Sequence, residues 1–361
     1  MSKRPVQFAL LLAFALPLIL AFRAFPQQET TIHVEVEMVL LTVAVTDSHG
    51  NYVNGLRPSD FEIYEDSVSQ QLATFAEGSA IPRKITEFVQ SQAQPRLSPP
   101  YPVKSAARGR ASDPQPLGAD EMPDRPVSPL VGASVFVLFD TSNFMYRGFV
   151  FAQQAIADFV RNVDRADRVA FYAFSRDVKR VAPISADRQA ILSAVRSTVA
   201  GDDVALYNAL LLTVKDAAQL SGRKMVVVFS NGPDNASMVP PESVRELAEA
   251  EGIPIYMIST HEVMRDPATT KLFERLTAST GGKAYFARTW QEQRRAFASI
   301  REDLVHLYTL SYYPQENPNT GWRRITVRLV GENLKKYHVR TRAGYRPKSL
   351  KTYRQASLLG Q

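Results

Sequence analysis

The chain has 361 residues, of which 45% are hydrophobic, so it has the length and apolar content for two or three packed domains. It contains no cysteine, which excludes disulfides, thiol catalysis, thiolate metal sites and a lipid-modified N-terminal cysteine. The net charge of +7 is spread along the chain rather than clustered, so we expect no nucleic-acid partner.

Residues 1–26 have the order of a secretory signal. Lys3 and Arg4 precede a mainly apolar run from Val6 to Phe22. As a helix, this run would span roughly 25 Å, slightly less than the roughly 30 Å hydrocarbon core of a bilayer. The sequence therefore predicts export to the periplasm, cell envelope or extracellular space. It leaves open whether the signal peptide is cleaved or is retained as an N-terminal membrane anchor.

Residues 31–80 predict a small β-sandwich-like domain. The segment TIHVEVE alternates apolar and polar residues with the period of a half-buried strand, and DFEIYED and QLATF add short strands. Residues 81–130 are rich in proline, serine, alanine and arginine and contain no long apolar run. Such a segment buries too little apolar surface to offset its ordering entropy, which predicts a Pro-rich disordered linker.

Residues 131–303 predict an α/β domain. The segments SVFVLF, RVAFYAF, KMVVVFS and IPIYMIS are apolar runs of strand length, and amphipathic helical segments alternate with them. This alternation implies a doubly wound, mainly parallel sheet with helices on both faces. Residues 304–347 then supply three C-terminal β segments, and the polar residues 348–361 predict a flexible tail.

Three polar loops of the α/β domain stand out, and the first and third follow predicted strands directly. The first loop covers residues 140–144 (DTSNF), the second loop residues 201–210 (GDDVALYNAL) and the third loop residues 229–237 (FSNGPDNAS). Ligands of open α/β sheets bind at the carboxyl ends of the strands, where such loops gather. The three loops therefore form the candidate functional site.

These loops resemble the metal-ion-dependent adhesion site of von Willebrand factor type A domains, which have a Rossmann-type fold. The phrases DFEIYEDS, YTLSYYP and RAGYRP, in this order around the α/β domain, are similar to motifs of the VWFA-related family described from acidobacteria. The resemblance implies a Mg²⁺ or Ca²⁺ site made by an Asp-x-Ser-x-Ser loop, a threonine and an aspartate. Both ions prefer such oxygen ligands, and an acidic group of a protein partner completes the coordination.

Three positions depart from that ligand set. Asp140 and Ser142 match the start of the first loop, but Phe144 stands at the second serine. Val204 stands at the threonine and Asn231 at the aspartate. Because two hydroxyl ligands are replaced by apolar groups and one carboxylate by an amide, we expect a degenerate site without a cofactor. A Mg²⁺ or Ca²⁺ ion held by Asp140, Ser142 and Asn231 is the alternative.

Other carboxylates lie in the same loops. Asp202, Asp203 or Asp234 would compensate for the missing ligands if a loop shifted by one residue. Otherwise, Asp202 and Asp203 are predicted to cap the helix that follows the second loop.

We expect this loop edge to bind a protein partner in the cell envelope or outside the cell. The residues of the predicted partner-binding edge are Asp140, Ser142, Asn143, Asp203, Asn231 and Asp234. The predicted function is that of an exported, non-catalytic interaction or adhesion-like protein, since no G-x-S-x-G, P-loop or G-x-G-x-x-G motif occurs. One alternative is Mg²⁺- or Ca²⁺-dependent adhesion. Another is an envelope hydrolase or glycan-binding protein that uses the tyrosine-rich β segments, although such tyrosines more often pack into a small core.

Overall fold

The computed structural model describes residues 38–88, 132–164, 167–260 and 265–347. The predicted signal peptide, residues 89–130 of the predicted linker and the predicted tail lie outside the described residues. Within the described ranges, no helix combines the length and apolar character needed to cross a membrane.

Five short strands precede the α/β domain. They are β1 (Val39–Thr46), β2 (Phe61–Glu65), β3 (Val68–Gln70), β4 (Leu72–Glu77) and β5 (Arg83–Lys84). Alternate side chains of β2 are buried, namely Phe61, Ile63 and the charged Glu65. β5 falls in the segment predicted as linker, where it pairs antiparallel with β4.

Six strands form the central sheet of the α/β domain, in the spatial order β11–β10–β9–β6–β7–β8. They are β6 (Ala133–Asp140), β7 (Arg168–Phe174), β8 (Val178–Ser185), β9 (Arg223–Ser230), β10 (Ile255–Thr260) and β11 (Ala284–Ala287). All neighbouring strands pair parallel except β8, which runs antiparallel to β7. The predicted mainly parallel sheet is therefore confirmed. The sequence did not predict β8, because only one of its eight residues is buried and its apolar residues do not form a run.

Six helices cover the two faces of this sheet. They are α1 (Phe149–Asn162), α2 (Arg188–Arg196), α3 (Leu206–Ala218), α4 (Pro241–Glu251), α5 (Pro267–Thr280) and α6 (Trp290–His306). Local sequence sets several of their ends. Asp187 and Asp266 accept hydrogen bonds from the first-turn N–H groups of α2 and α5. Gly252 and Gly281 end α4 and α5 with φ of 62° and 86°, a backbone conformation that favours glycine.

The two faces of the sheet have separate apolar cores. On one face, Phe139 of β6 stacks on Phe229 of β9 and packs with α1, α2 and α6. On the other face, the neighbouring Leu138 and Val228 pack with α3, α4 and α5. Because both faces are covered, β6 is buried along its whole length. This explains why its sequence is a continuous apolar run that ends in Asp140.

Four strands follow the α/β domain and pair with strands that precede it. They are β12 (Tyr308–Tyr312), β13 (Arg323–Leu329), β14 (His338–Arg340) and β15 (Gly344–Tyr345). β12 lies between β1 and β4, and β13 lies between β2 and β15. The two sheets enclose one core, in which Leu41, Ile63 and Leu310 are almost completely buried. We call β1–β5 together with β12–β15 the β module.

A buried ion pair joins the β module to the α/β domain. Arg340 Nη2, from β14, donates to both carboxylate oxygens of Asp303 on α6, at 2.7 and 2.8 Å. The hydroxyl of Tyr52 donates to the same carboxylate at 2.5 Å. Asp303 is completely buried, so these donors satisfy a charge that has no access to water.

Two further buried arginines cross the same junction. Arg223, at the start of β9, donates to the backbone oxygen of Gly78 in the β module. Arg342, in the β module, donates to the backbone oxygen of Glu249 at the end of α4. Each of these two arginines thus binds a backbone oxygen on the other side of the junction.

Candidate functional site

Asp140 ends β6 with its carboxylate inside the protein. The side chain is completely buried, and its Oδ1 accepts a hydrogen bond from the backbone N–H of Ser142 at 2.8 Å. Its Oδ2 accepts from Ser230 Oγ at 2.7 Å and from the backbone N–H of Asn231 at 3.3 Å. Protein donors therefore engage both oxygens, and the carboxylate ties the first loop to the third.

Burial raises the pKa of Asp140, and hydrogen bonds led by those of Ser230 and Ser142 offset only part of this effect. The neutral carboxylic acid is thus favoured more than in an exposed aspartate.

Ser142 and Asn231 each place one side-chain oxygen in the interior without a hydrogen-bond partner. Ser142 Oγ and Asn231 Oδ1 are both buried, and neither accepts nor donates a hydrogen bond among the described residues. The amide nitrogen of Asn231 donates to the backbone oxygen of Phe144 at 2.6 Å, which fixes the orientation of the amide. Two of the three predicted ligand residues thus retain an oxygen atom that is free to interact.

Phe144 and Val204 place carbon where the family resemblance expects hydroxyl oxygen. Val204 is completely buried in the core beneath α3. The ring of Phe144 lies against Gly232, because a Cβ added to that glycine would be 2.9 Å from Phe144 Cδ2. Phe144 thus packs the first loop onto the third, and any side chain at residue 232 would require this ring to move.

Backbone and amide groups hold the second loop against the other two. The N–H of Asn143 donates to the backbone oxygen of Asp202 at 3.0 Å. The N–H of Val204 donates to Asn235 Oδ1 at 2.8 Å, and its oxygen accepts from the N–H of Asn235 at 3.1 Å. The three loops therefore form one hydrogen-bonded edge, as the strand order predicts.

The remaining carboxylates of the predicted edge have structural partners. Asp203 forms an ion pair with Arg176, and Asp234 Oδ2 accepts from the backbone N–H of Tyr207 in the first turn of α3. The prediction that Asp202 and Asp203 cap this helix is wrong, because the N-cap residue of α3 makes no side-chain cap. The capping carboxylate comes instead from the third loop, a neighbour in space that spacing along the chain does not reveal.

The centre of the edge offers a divalent cation fewer charged ligands than the family resemblance implies. Mg²⁺ and Ca²⁺ require several oxygen ligands with carboxylate charge among them, whereas Asp140 is the only carboxylate at the centre of the edge and protein donors already engage it. In the part of the chain that the structure describes, no group of three histidine, cysteine, aspartate or glutamate residues could hold a metal ion. Ser142 Oγ and Asn231 Oδ1 add two neutral oxygens but no charge.

Large apolar side chains are exposed around this edge. Phe144 and Tyr146, in the 3-10 turn that follows β6, are 39% and 62% exposed. Val199, which precedes the second loop, is 79% exposed, and Met238, which follows the third, is 90% exposed. We call these four residues the apolar rim. The sequence did not predict Tyr146, Val199 and Met238 as site residues. Their only indication in the sequence is that each is a large apolar residue within or beside a polar loop.

Three tyrosines of the β module pack into its core, as predicted for this aromatic cluster, whereas Tyr313 is exposed. Tyr308, Tyr312 and Tyr345 are buried. The hydroxyls of Tyr312 and Tyr345 donate to one oxygen of the buried Glu65 at 2.8 and 3.0 Å, and Arg323 pairs with its other oxygen. These three tyrosines thus contribute to the core and to the binding of a buried carboxylate.

Comparison with known proteins identifies the central part of the chain. The family model described as von Willebrand factor type A domain matches residues 134–299. No curated protein sequence matches the chain significantly.

Several solved structures are similar to part of the chain. The von Willebrand factor type A protein from Catenulispora acidiphila is 12% identical, with 59% of this chain and 66% of that chain covered and a TM-score of 0.42. The conserved hypothetical protein BatB from Bacteroides thetaiotaomicron is 16% identical, with 48% and 98% covered and a TM-score of 0.40. The vWF domain of the type V pili tip protein Mfa5 from Porphyromonas gingivalis is 12% identical, with 47% and 94% covered and a TM-score of 0.39.

The narrower similarity to the acidobacterial VWFA-related family stays a prediction. The match to the family model and the mainly parallel, helix-covered sheet agree on the central domain. Residues 134–299 form a von Willebrand factor type A domain.

Proposed function

We propose that this protein is an exported, non-catalytic interaction protein that binds a protein partner through the loop edge of its A domain, without a divalent cation. The observation that carries the proposal is the state of Asp140, whose carboxylate is buried and engaged by three protein donors. A carboxylate held in this way orders the loops and is not available to a partner. Contact with the partner then falls to the exposed residues around it.

The apolar rim supports this mode of binding. Tyrosine and methionine are enriched in the centres of protein–protein interfaces, and exposed apolar clusters on a folded domain mark such interfaces. Phe144 supports both parts of the proposal. It stands where an oxygen ligand is expected, and part of its ring is exposed for contact with a partner. Export, and hence a partner in the envelope or outside the cell, is supported by Lys3, Arg4 and the apolar run that follows them.

Cation-dependent adhesion is a second candidate, and one observation favours it. Ser142 Oγ and Asn231 Oδ1 are buried without partners, and orphan oxygens of this kind are suitable for an ion or an ordered water. In this candidate, a Mg²⁺ or Ca²⁺ ion would require ionised Asp140 to exchange its protein donors for the metal.

A capture experiment with matched tyrosine variants tests the proposal. The full chain, Tyr146→Ala and Tyr313→Ala are used to capture partners from an envelope extract, each with Mg²⁺ and with chelator. The two tyrosines are 62% and 56% exposed, but Tyr313 lies in the β module, away from the loop edge. We expect Tyr146→Ala to lose the partner at least tenfold, Tyr313→Ala to retain it, and chelator to have no effect.

Each contrary result is informative. A partner that Tyr146→Ala and Met238→Ala both retain would remove the apolar rim from the binding surface. A partner that chelator releases from the unmodified chain would replace our proposal with cation-dependent adhesion. Turnover of a peptide or glycan panel by the purified chain would contradict the non-catalytic assignment.

A further inference from the structure

A groove between two helices lies outside the loop edge. It runs between α1 and α6, has a volume of about 430 Å³, and has Phe159 and Phe297 among its lining residues. The rings of these two residues pack together with their centroids 5.3 Å apart, so the base of the groove is a rigid part of the domain core. Trp290 also lines the groove and is 45% exposed.

The walls of the groove carry an excess of positive charge. Arg294, Arg295 and Arg301 all line it, and the only acidic residue that does so is Asp158. Asp158 lies 3.8 Å from Arg294, but its closer partner at 2.7 Å is Arg161. Arg301 lies 3.7 Å from Glu302, which does not line the groove, and Arg295 forms no ion pair within the described residues. The groove thus combines one unpaired guanidinium group and two that have only long, partly exposed ion pairs with an exposed indole, which suits a carboxylate-bearing peptide.

The chain itself contains a segment of matching charge. Residues 113–124 read DPQPLGADEMPD, with four acidic residues and no basic one. This acidic tract lies outside the described residues. It differs from the chain just before it, because residues 96–110 carry four basic residues and no acidic one.

The acidic tract is close enough along the chain to reach the groove. It ends eight positions before Gly132, and eight extended residues span at most about 29 Å. The N–H of Ala133, at the start of β6, donates to Asp167 at 2.6 Å, and Asp167 follows the end of α1 by five positions. The chain therefore enters the domain near the end of α1 that carries Asn162, which lines the groove. Since α1 is only about 21 Å long, the residues between the acidic tract and Gly132 are long enough for the tract to reach the whole groove.

We infer that the groove between α1 and α6 is a binding site for an acidic peptide segment, and that its occupant is residues 113–124 of the same chain. Arg294, Arg295 and Arg301 bind the carboxylates of Asp120, Glu121 and Asp124. Trp290 packs against the apolar residues between them. This site is independent of the proposed function of the loop edge.

Fluorescence quenching in the full chain tests this inference. The chain has no cysteine, so Ala119→Cys gives a single attachment point for a bimane dye, which tryptophan quenches on contact. We expect Trp290 to quench this dye and Trp290→Phe to abolish the quenching. The triple variant R294Q/R295Q/R301Q should abolish it too, and 0.5 M salt should weaken it by screening.

A charge-matched variant controls for net charge. R324Q/K335Q/K336Q removes the same three positive charges from exposed positions of the β module and should leave the quenching unchanged. Thermal melting of both triple variants checks that they remain folded. The acidic-tract variant D120N/E121Q/D124N provides the reciprocal test and should lose quenching without any change to the groove.

Several outcomes would overturn the inference. These are absence of quenching in the labelled chain, quenching that survives Trp290→Phe, and quenching that survives the loss of all three groove arginines. Quenching that rises with protein concentration would place the tract in the groove of a second copy, which also overturns binding within one chain.

Discussion

The two ends of the A domain use charged residues in opposite ways. At the carboxyl ends of the strands, Asp140 is buried and bound by neutral donors, and the apolar rim is exposed around it. At the opposite end, where the β module attaches, Arg340 neutralises Asp303, and two further arginines bind backbone oxygens. The charge of this domain therefore stabilises the junction, and the loop edge offers apolar contact surface.

This contrast bears on how each end tolerates change. A buried ion pair strongly destabilises a protein when one partner is removed, because the other charge stays buried. Substitutions in the exposed apolar rim should change the free energy of unfolding little and should change partner binding instead. The junction should therefore dominate stability, and the loop edge should dominate recognition.

The largest expected effect is at the junction. Arg340→Ala removes both guanidinium hydrogen bonds of the buried Asp303 carboxylate and leaves it with neutral hydroxyl donors such as that of Tyr52. We expect it to lower the free energy of unfolding by about 3–5 kcal/mol, measured by urea denaturation. The control, Arg180→Ala, removes a partly exposed pair with Asp216 and should cost less than about 1 kcal/mol. Equal losses for the two variants would contradict the contrast.

The next effect is a gain of function at the loop edge. F144S/V204T/N231D introduces the ligand types that the resemblance to the adhesion site implies. At a Mg²⁺ concentration one hundred times the dissociation constant, binding to the folded state would stabilise the triple variant by about 2.7 kcal/mol. Calorimetric melting with and without Mg²⁺ measures this difference. Adding Asp140→Ala to the triple variant should abolish the response, and a response that persists would locate the ion elsewhere.

A smaller effect is expected for Asp140 alone. Asp140→Ala leaves the buried donors of Ser142, Ser230 and Asn231 without their acceptor, which should cost about 1–3 kcal/mol in urea denaturation. Asp203→Ala, at the same edge, breaks a surface pair with Arg176 and should cost less than about 1 kcal/mol. A larger loss in the free energy of unfolding for Asp203→Ala than for Asp140→Ala would show that Asp140 is not the structural centre of the edge.

Much of the fold follows from periodicity in the sequence. The apolar runs that became β6, β7, β9 and β10 are buried on both faces, and this leaves a clear pattern. The pairing of β1 with β12 did not follow, since these strands lie on either side of the A domain and no local pattern encodes their contact. For the same reason the sequence showed two β segments and not one β module.

The candidate site was predictable in place but not in detail. The first and third loops were located by the residues that end their strands, the second by its resemblance to a loop of the adhesion site, and the structure holds all three together by hydrogen bonds. The sequence misassigned the cap of α3, because the Asp234 carboxylate reaches that helix through space. It also missed Tyr146 and Met238, because whether an apolar loop residue is buried or exposed depends on packing around it.

The central claim is that the loop edge works without a divalent cation, and the thermal melting of the unmodified chain tests it most directly. The full chain is melted in Mg²⁺, in Ca²⁺, in Mn²⁺ and in excess chelator. We predict the same Tm in all four conditions, because Asp140 is engaged by protein donors and Phe144 and Val204 supply no ligand. A rise in Tm with any of these cations that chelator reverses, and that Asp140→Ala abolishes, would contradict the claim.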